Sequence, residues 1–232
     1  MRDKIVAGNW KMNGNLEEGL QLADEICNRL PSIPTGQSVI FCSPFIHLSQ
    51  LVERTNGLDR VHVGAQNCAK WESGAFTGET SASMIKSCGA DYVIIGHSER
   101  REYFEESGET LARKTDLVLQ YELTPIFCCG EKLEIREAGK HFDLVEKQVS
   151  EGLFHLKESE FSKIVIAYEP VWAIGTGKTA TTEQAQQVHA FIRGEISKSH
   201  GNEIAQTVRI QYGGSVKPDN ARELLSPCKS FD

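Results

Sequence analysis

Residues 164–192 read IVIAYEPVWAIGTGKTATTEQAQQVHAFI. An apolar, β-branched run, Ile164–Tyr168, leads into Glu169, a proline–valine–tryptophan segment and a stretch of small residues. A helix start then follows. Thr181 is a candidate N-cap with Gln184 three residues on, and Ala185, Val188 and Ile192 fall on one stripe. A strand that is apolar without alternation is buried on both faces. When a helix follows such a strand, the expected arrangement is a parallel sheet covered by helices.

The same strand-then-helix alternation runs through the chain. Short apolar runs predict strands at Lys4–Ala7, Val39–Cys42, Val61–Gly64, Tyr92–Ile95, Pro125–Cys128, Ile164–Tyr168 and Val208–Tyr212. Leu16, Leu20, Leu22, Ala23, Ile26 and Leu30 are read as one helical face after the first run. Leu144, Val145, Val149 and Leu153 are read as another after the fifth. No linker, low-complexity tract or composition shift divides residues 1–232. A single α/β domain with seven βα units predicts a TIM (β/α)8-type barrel over an open doubly wound sheet.

Composition narrows the partners. The chain carries 25 Lys and Arg against 32 Asp and Glu, a net charge of −7, with no long run of one sign. Whole-protein charge therefore gives no reason to expect nucleic acid or an anionic membrane as partner, and an anionic substrate needs a local positive site. The N-terminal Met1-Arg2-Asp3-Lys4 resembles neither a signal peptide nor a membrane span. Seven cysteines form no CxxC pair, so a reduced, cytoplasmic chain is expected.

In a parallel barrel, functional residues follow the strands. Four places stand out. Lys11, in Asn9-Trp10-Lys11 after the first strand, either gives an anionic substrate its positive charge or is a solvated lysine beside a core tryptophan. His97 precedes a short helix opening at Ser98-Glu99. There the helix terminus favours a neutral imidazole that donates to a carbonyl, and a hydrogen-bonded wall histidine is the other reading. Nothing stands at HExxH-like spacing around it, so no metal site is expected.

Glu169, directly after a buried strand, is either a partly desolvated general base or an ion-paired strand end. The segment Pro170–Thr179 behind it has the composition of a lid. Gly177-Lys178-Thr179 does not complete a nucleotide P-loop, because Trp172 occupies the place of that motif's first glycine. Finally, Gly213-Gly214-Ser215 follows the seventh strand, where a phosphate cradle is expected, although most such triplets are turns.

Taken in order, several stretches resemble the triosephosphate isomerase family. They are Ala7–Asn13, Gly64–Asn67, Gly74–Glu79, Ile95–Arg101, Ala167–Gly177 and Tyr212–Ser215. The resemblance implies the interconversion of dihydroxyacetone phosphate and D-glyceraldehyde 3-phosphate through an enediolate, a step of glycolysis and gluconeogenesis. By its motifs, Glu169 is the base, His97 the neutral electrophile, Lys11 the positive charge and Asn9 an orienting group. Glu99 is the carboxylate associated with the lysine. Gly175, Ser215 and the Gly213-Gly214 turn hold the phosphate, and no metal or organic cofactor is implied. Gln66–Glu79 resembles the family's interdigitating loop, with Thr77 at its tip, which implies a homodimer.

The family chain continues into an eighth strand ending in Gly-Gly and an eighth helix. Here Asp219–Leu225 reads as the seventh helix, and Ser226–Asp232 contains neither feature. On this reading the barrel has only seven evident βα units and lacks phosphate donors worth ~1.5–3 kcal/mol each. Weakened turnover and stability are the expectation. The alternative function is that of a catalytically impaired barrel serving as a dimerising or binding scaffold.

Overall fold

The computed structural model describes residues 2–174, 179–216 and 221. The chain runs β1 (Lys4–Asn9), α1 (Leu16–Arg29), β2 (Gln37–Ser43), α2 (Leu48–Thr55), β3 (Val61–Ala65), α3 (Ala82–Ser87), β4 (Tyr92–Ile95), α4 (Ser98–Tyr103) and α5 (Gly108–Gln120). It continues through β5 (Thr124–Glu131), α6 (Leu133–Glu137), α7 (His141–Leu153), α8 (Glu158–Phe161), β6 (Val165–Pro170), α9 (Thr182–Thr207) and β7 (Arg209–Tyr212). All seven expected strands are present, and β5 runs past Cys128 to Glu131. Gly175, most of the helix expected over Asp219–Leu225 and the stretch Ser226–Asp232 lie outside the described residues.

Two compact units compose the chain. The first is Met1–Ile95 with Arg113–Ile126, and the second is Gly96–Ala112 with Phe127–Asp232. In the first, β1 lies parallel to β2 from Lys4↔Gln37 to Asn9↔Cys42, and β2 to β3 from Val39↔Val61 to Ser43↔Ala65. β3 meets β4 at Gly64↔Tyr92, and Thr124 at the start of β5 donates its N–H to Asp91 O at 2.8 Å. Ile40, Phe41, Val63, Val93 and Ile95 fill the strand layer, and Leu20, Ala23, Leu48 and Leu51 cover it from α1 and α2. Each fully buried large aliphatic side chain contributes roughly 1.5–3 kcal/mol.

One expectation in this unit needs correction. The buried face of α1 is Gly19, Leu20 and Ala23, whereas Leu16 and Leu22 are 40% and 44% exposed. At 3.6 residues per turn, Leu22 points about 200° away from Leu20, so the two cannot share a face. The residues of β1 are all exposed or half-buried, with Val6 52% exposed. Among the described residues its ladder is to β2 alone.

In the second unit every residue of β6 is buried, and β6 pairs parallel with β7 from Val165↔Arg209 to Tyr168↔Tyr212. α7 buries Val145, Val149 and Leu153 as its spacing predicts. Its Gly152 is where the Phe127 ring of β5 seats, since a Cβ there would stand 2.3 Å from Phe127 Cζ. α9 opens on the expected reciprocal cap. Gln184 N–H donates to Thr181 Oγ1 at 3.2 Å, and Thr181 N–H donates to Gln184 Oε1 at 2.9 Å. Ala185, Val188 and Ile192 are buried behind it, and the helix is broken at Gly201, whose φ is 80°. No helix among the described residues is long and apolar enough to cross a membrane.

Candidate active site

The second unit brings together His97, Glu99, Glu169, Gly213, Gly214 and Ser215. Gly96, at a φ of 71° that side-chain-bearing residues rarely adopt, turns the chain out of β4 into His97. His97 then caps α4, its Nδ1 accepting the Glu99 N–H at 3.2 Å. From the other direction, β6 delivers Glu169, which is only 3% exposed. Its Oε1 stands 2.9 Å from His97 Nε2, and its Oε2 accepts the Ser98 N–H at 3.0 Å.

These contacts set the histidine tautomer. A ring nitrogen that accepts a backbone N–H carries no proton, so the proton of a neutral imidazole sits on Nε2 and points at Glu169. Nδ1 is also 3.4 Å from Glu99 Oε2. Lacking a proton, it has nothing to donate to that carboxylate, whose side chain is 42% exposed. The pair is thus a neutral donor beside a buried carboxylate, both oxygens of which hold charge-assisted hydrogen bonds.

Two glycines make room for the carboxylate. A Cβ at Gly130 of β5 would fall 1.8 Å from the backbone O of Glu169. One at Gly213 would fall 3.0 Å from Tyr168 O and 3.1 Å from Glu169 Cγ. The Gly213-Gly214-Ser215 turn therefore lies against the stem of Glu169. The Gly213 N–H is already engaged, donating to Tyr168 O at 2.7 Å. Ser215 Oγ reaches Ala173 O at 3.5 Å, at the start of the expected lid.

Sequence reasoning missed the group that anchors that start. Glu131, 1% exposed at the end of β5, accepts from Tyr168 Oη at 3.0 Å, Trp172 Nε1 at 3.0 Å and Arg136 Nη1 at 2.9 Å, all on Oε1. The Arg136 guanidinium also stands 5.4 Å from the centre of the Trp172 ring. Burial raises the Tyr168 phenol well above its ordinary value, which keeps it a donor. The available signal was a carboxylate closing an otherwise apolar strand, the placement that had singled out Glu169. Arg101 was also missed as a support. Its Nε donates to Gly96 O at 2.8 Å and its Nη2 to Cys128 O at 2.7 Å, fixing the turn that carries His97.

Asn9 and Lys11 belong to the first unit, at and just beyond the end of β1. Asn9 Oδ1 accepts the Lys11 N–H at 2.9 Å, and Lys11 has a φ of 53°. A left-handed conformation at a residue with a side chain costs ~1–3 kcal/mol and persists where its surroundings enforce it. Among the described residues no cluster of three or more His, Cys, Asp and Glu is arranged to hold a metal ion.

Comparison with known proteins yields a family match over residues 4–229, the family described as triosephosphate isomerase. A triosephosphate isomerase of Cytophaga hutchinsonii is 54% identical over 233 aligned positions, covering 100% of this chain and 92% of that protein. Those of Porphyromonas gingivalis and Phocaeicola vulgatus are each 54% identical, covering 97% of this chain and 90% and 89% of their own length.

Proposed function

This chain belongs to the triosephosphate isomerase family, and we propose on that premise that it interconverts dihydroxyacetone phosphate and D-glyceraldehyde 3-phosphate as an aldose–ketose isomerase. The family carries with it the α/β, TIM-type fold class. The observation that carries the chemistry is the 2.9 Å contact between His97 Nε2 and Glu169 Oε1, with the proton held on Nε2 by the engagement of Nδ1. Glu169 removes a proton from the carbon beside the carbonyl. The C–H electrons form the carbon–carbon double bond of an enediolate, and the carbonyl oxygen takes up charge opposite the His97 N–H. The hydroxyl proton passes to the oxygen that took up charge, beside the His97 N–H, and protonated Glu169 returns its proton to the neighbouring carbon, so protons and electrons balance without an external oxidant.

A positioned base contributes ~10²–10⁴-fold, and preorganised donors to the enediolate oxygen usually add more. In the same proposal Lys11 supplies positive charge to the substrate and Asn9 orients it. Gly175, Ser215 and the Gly213-Gly214 turn take the phosphate, and Glu99 sets the surroundings of Lys11. The single-domain reading of residues 1–232 is supported by the path of the chain. It crosses between the two units inside α5, at Ala112–Arg113, and inside β5, at Ile126–Phe127.

Homodimerisation through Gln66–Glu79 is also part of the proposal, with a cytoplasmic location. The start of that loop is pinned: Gln66 Nε2 donates to Cys42 O at 2.9 Å, and Lys114 Nζ to Asn67 Oδ1 at 2.7 Å. Trp71 and Phe76 are stacked at 4.0 Å, yet each remains 37% exposed. Aromatic side chains held out from a fixed loop suit a partner surface. The scaffold alternative has no comparable support.

The test is isomerisation of glyceraldehyde 3-phosphate in deuterium oxide. The product should gain deuterium to the extent that protonated Glu169 exchanges with solvent before returning its proton, and Glu169→Gln should lose turnover and incorporation together. Turnover undiminished in Glu169→Gln removes Glu169 from the proposed role.

A further inference from the structure

Trp10–Gly14 links β1 to α1 and carries Lys11 in its middle. Both ends of this segment are held. At one end Trp10 N–H donates to Cys42 O at 3.0 Å. At the other Asn15 caps α1, accepting the Glu18 N–H at 3.0 Å while its own N–H donates to Glu18 Oε2 at 2.9 Å. Between them the backbone is left-handed twice, at Lys11 with φ 53° and at Gly14 with φ 77°. Asn13 Nδ2 donates to Trp10 O at 2.7 Å, which tightens the turn around Lys11.

One side chain from outside the segment touches both ends. His47, in the turn between β2 and α2, has no exposed surface. Its ring meets the Trp10 ring edge-on, centroids 5.6 Å apart at 68°. Its Nε2 is 2.9 Å from the carbonyl O of Asn15. A carbonyl only accepts, so Nε2 carries the proton, and Nδ1 is buried without a hydrogen-bond partner among the described residues. Trp10 is also in ring contact with Phe41, centroids 6.1 Å apart at 42°.

Helix α1 has given up a side chain to admit this ring. A Cβ at Gly19, in the first turns of the helix, would stand 2.3 Å from His47 Nε2 and 2.6 Å from Cδ2. Glycine weakens a helix relative to alanine, and nothing about the φ of Gly19 requires it. The space it leaves is the space His47 fills.

We infer that His47 is a positioning residue for Lys11: by joining Trp10 to the Asn15 carbonyl, it closes the segment into the shape that keeps Lys11 left-handed and its ammonium in one place. The inference deepens the proposed function, since it takes from that reading the role of Lys11 toward an anionic substrate. It predicts that disturbing His47 acts on substrate binding through Lys11 more than on the proton-transfer step.

Three variants of the full chain test it: Gly19→Ala, the double variant His47→Ala with Gly19→Ala, and His47→Gln. The readouts are hydrogen exchange of the Lys11 amide, KM and kcat for glyceraldehyde 3-phosphate, and the melting temperature. In Gly19→Ala the new methyl displaces the ring from Asn15. Lys11 amide protection should fall at least about tenfold and KM rise about tenfold, with a smaller change in kcat.

The double variant removes the clash and should melt above Gly19→Ala, yet keep the exposed Lys11 amide and the raised KM. Stability and Lys11 order thus come apart. His47→Gln places an amide N–H within reach of the Asn15 carbonyl and should recover most of the protection and the parental KM. A folded double variant with parental Lys11 protection and parental KM overturns the inference, and so does a His47→Gln chain as loose at Lys11 as the double variant. If the parent chain shows no isomerisation, the functional reading fails by itself, and the Lys11 amide then decides the positioning claim alone.

Discussion

His97 Nε2 and Glu169 Oε1 stand 2.9 Å apart with a single proton between them, because His97 Nδ1 is occupied by the Glu99 N–H. The carboxylate is held on its second oxygen by the Ser98 N–H at 3.0 Å. A base gripped at both oxygens is well placed, but it must exchange one of these bonds for the substrate's proton.

Replacing that base is the first prediction. Glu169→Gln keeps the shape and an acceptor for the Ser98 N–H but cannot take up a proton at neutral pH. Turnover should fall ~10²–10⁴-fold with the far-ultraviolet circular dichroism unchanged. Steady-state assays decide it, and a loss of under about tenfold would assign the proton transfer to another group.

Gly130→Ala tests the packing that sets Glu169. The new Cβ would lie 1.8 Å from the Glu169 backbone oxygen, an approach only a backbone shift can relieve. Such overpacking costs ~1–3 kcal/mol or more, and misplacing a catalytic group by about 1 Å can cost 10²-fold in rate. Denaturant melts and kcat/KM should both fall. A variant with normal activity would show that β5 and β6 tolerate separation at this point.

Glu131→Ala leaves Tyr168 Oη, Trp172 Nε1 and Arg136 without their shared acceptor. Removing one partner of a buried ionic cluster costs ~3–5 kcal/mol. The expected result is a large fall in the denaturation midpoint, with Trp172 fluorescence altered. A loss below about 1 kcal/mol would mean the cluster contributes little to holding that end.

How much of this could be read from the sequence depends on whether one segment or several make the feature. The cap at Thr181 and Gln184 and the stripe Ala185, Val188 and Ile192 are local, and the structure contains them as read. The pairing of His97 with Glu169 follows from no spacing. Only the resemblance to a family indicated that two residues 72 positions apart act together. Leu22 was misassigned because apolar character was counted without its angle around the helix. Glu131 was passed over because its partners Tyr168 and Trp172 come from a different strand and the loop beyond it.

Two thiols give a pH prediction. Burial pushes Cys42 and Cys129 from an ordinary 9.0 up to about 12, with Arg101 partly opposing the shift at Cys129. At pH 8 about one thiol in ten thousand is then ionised, so native alkylation of either should be very slow and unfolding should release it. A pKa raised on folding stabilises fully below the unfolded value and is lost as pH climbs through the folded one. Stability should therefore be whole below about pH 9 and decline between 9 and 12. Peptide mass spectrometry after iodoacetamide checks the first part and alkaline denaturation curves the second. Rapid native labelling of Cys42 or Cys129 would contradict both.

The ring of Phe127 seated on Gly152 also constrains the routes by which this sequence can drift. A lineage that first shrinks residue 127 opens a void and can later accept alanine at 152, recovering stability in the second step. The reverse order passes through a chain whose helix and strand compete for the same volume. The two sites, on different elements, therefore change as an ordered pair, and homologues should show small residues at 127 wherever 152 has gained a side chain.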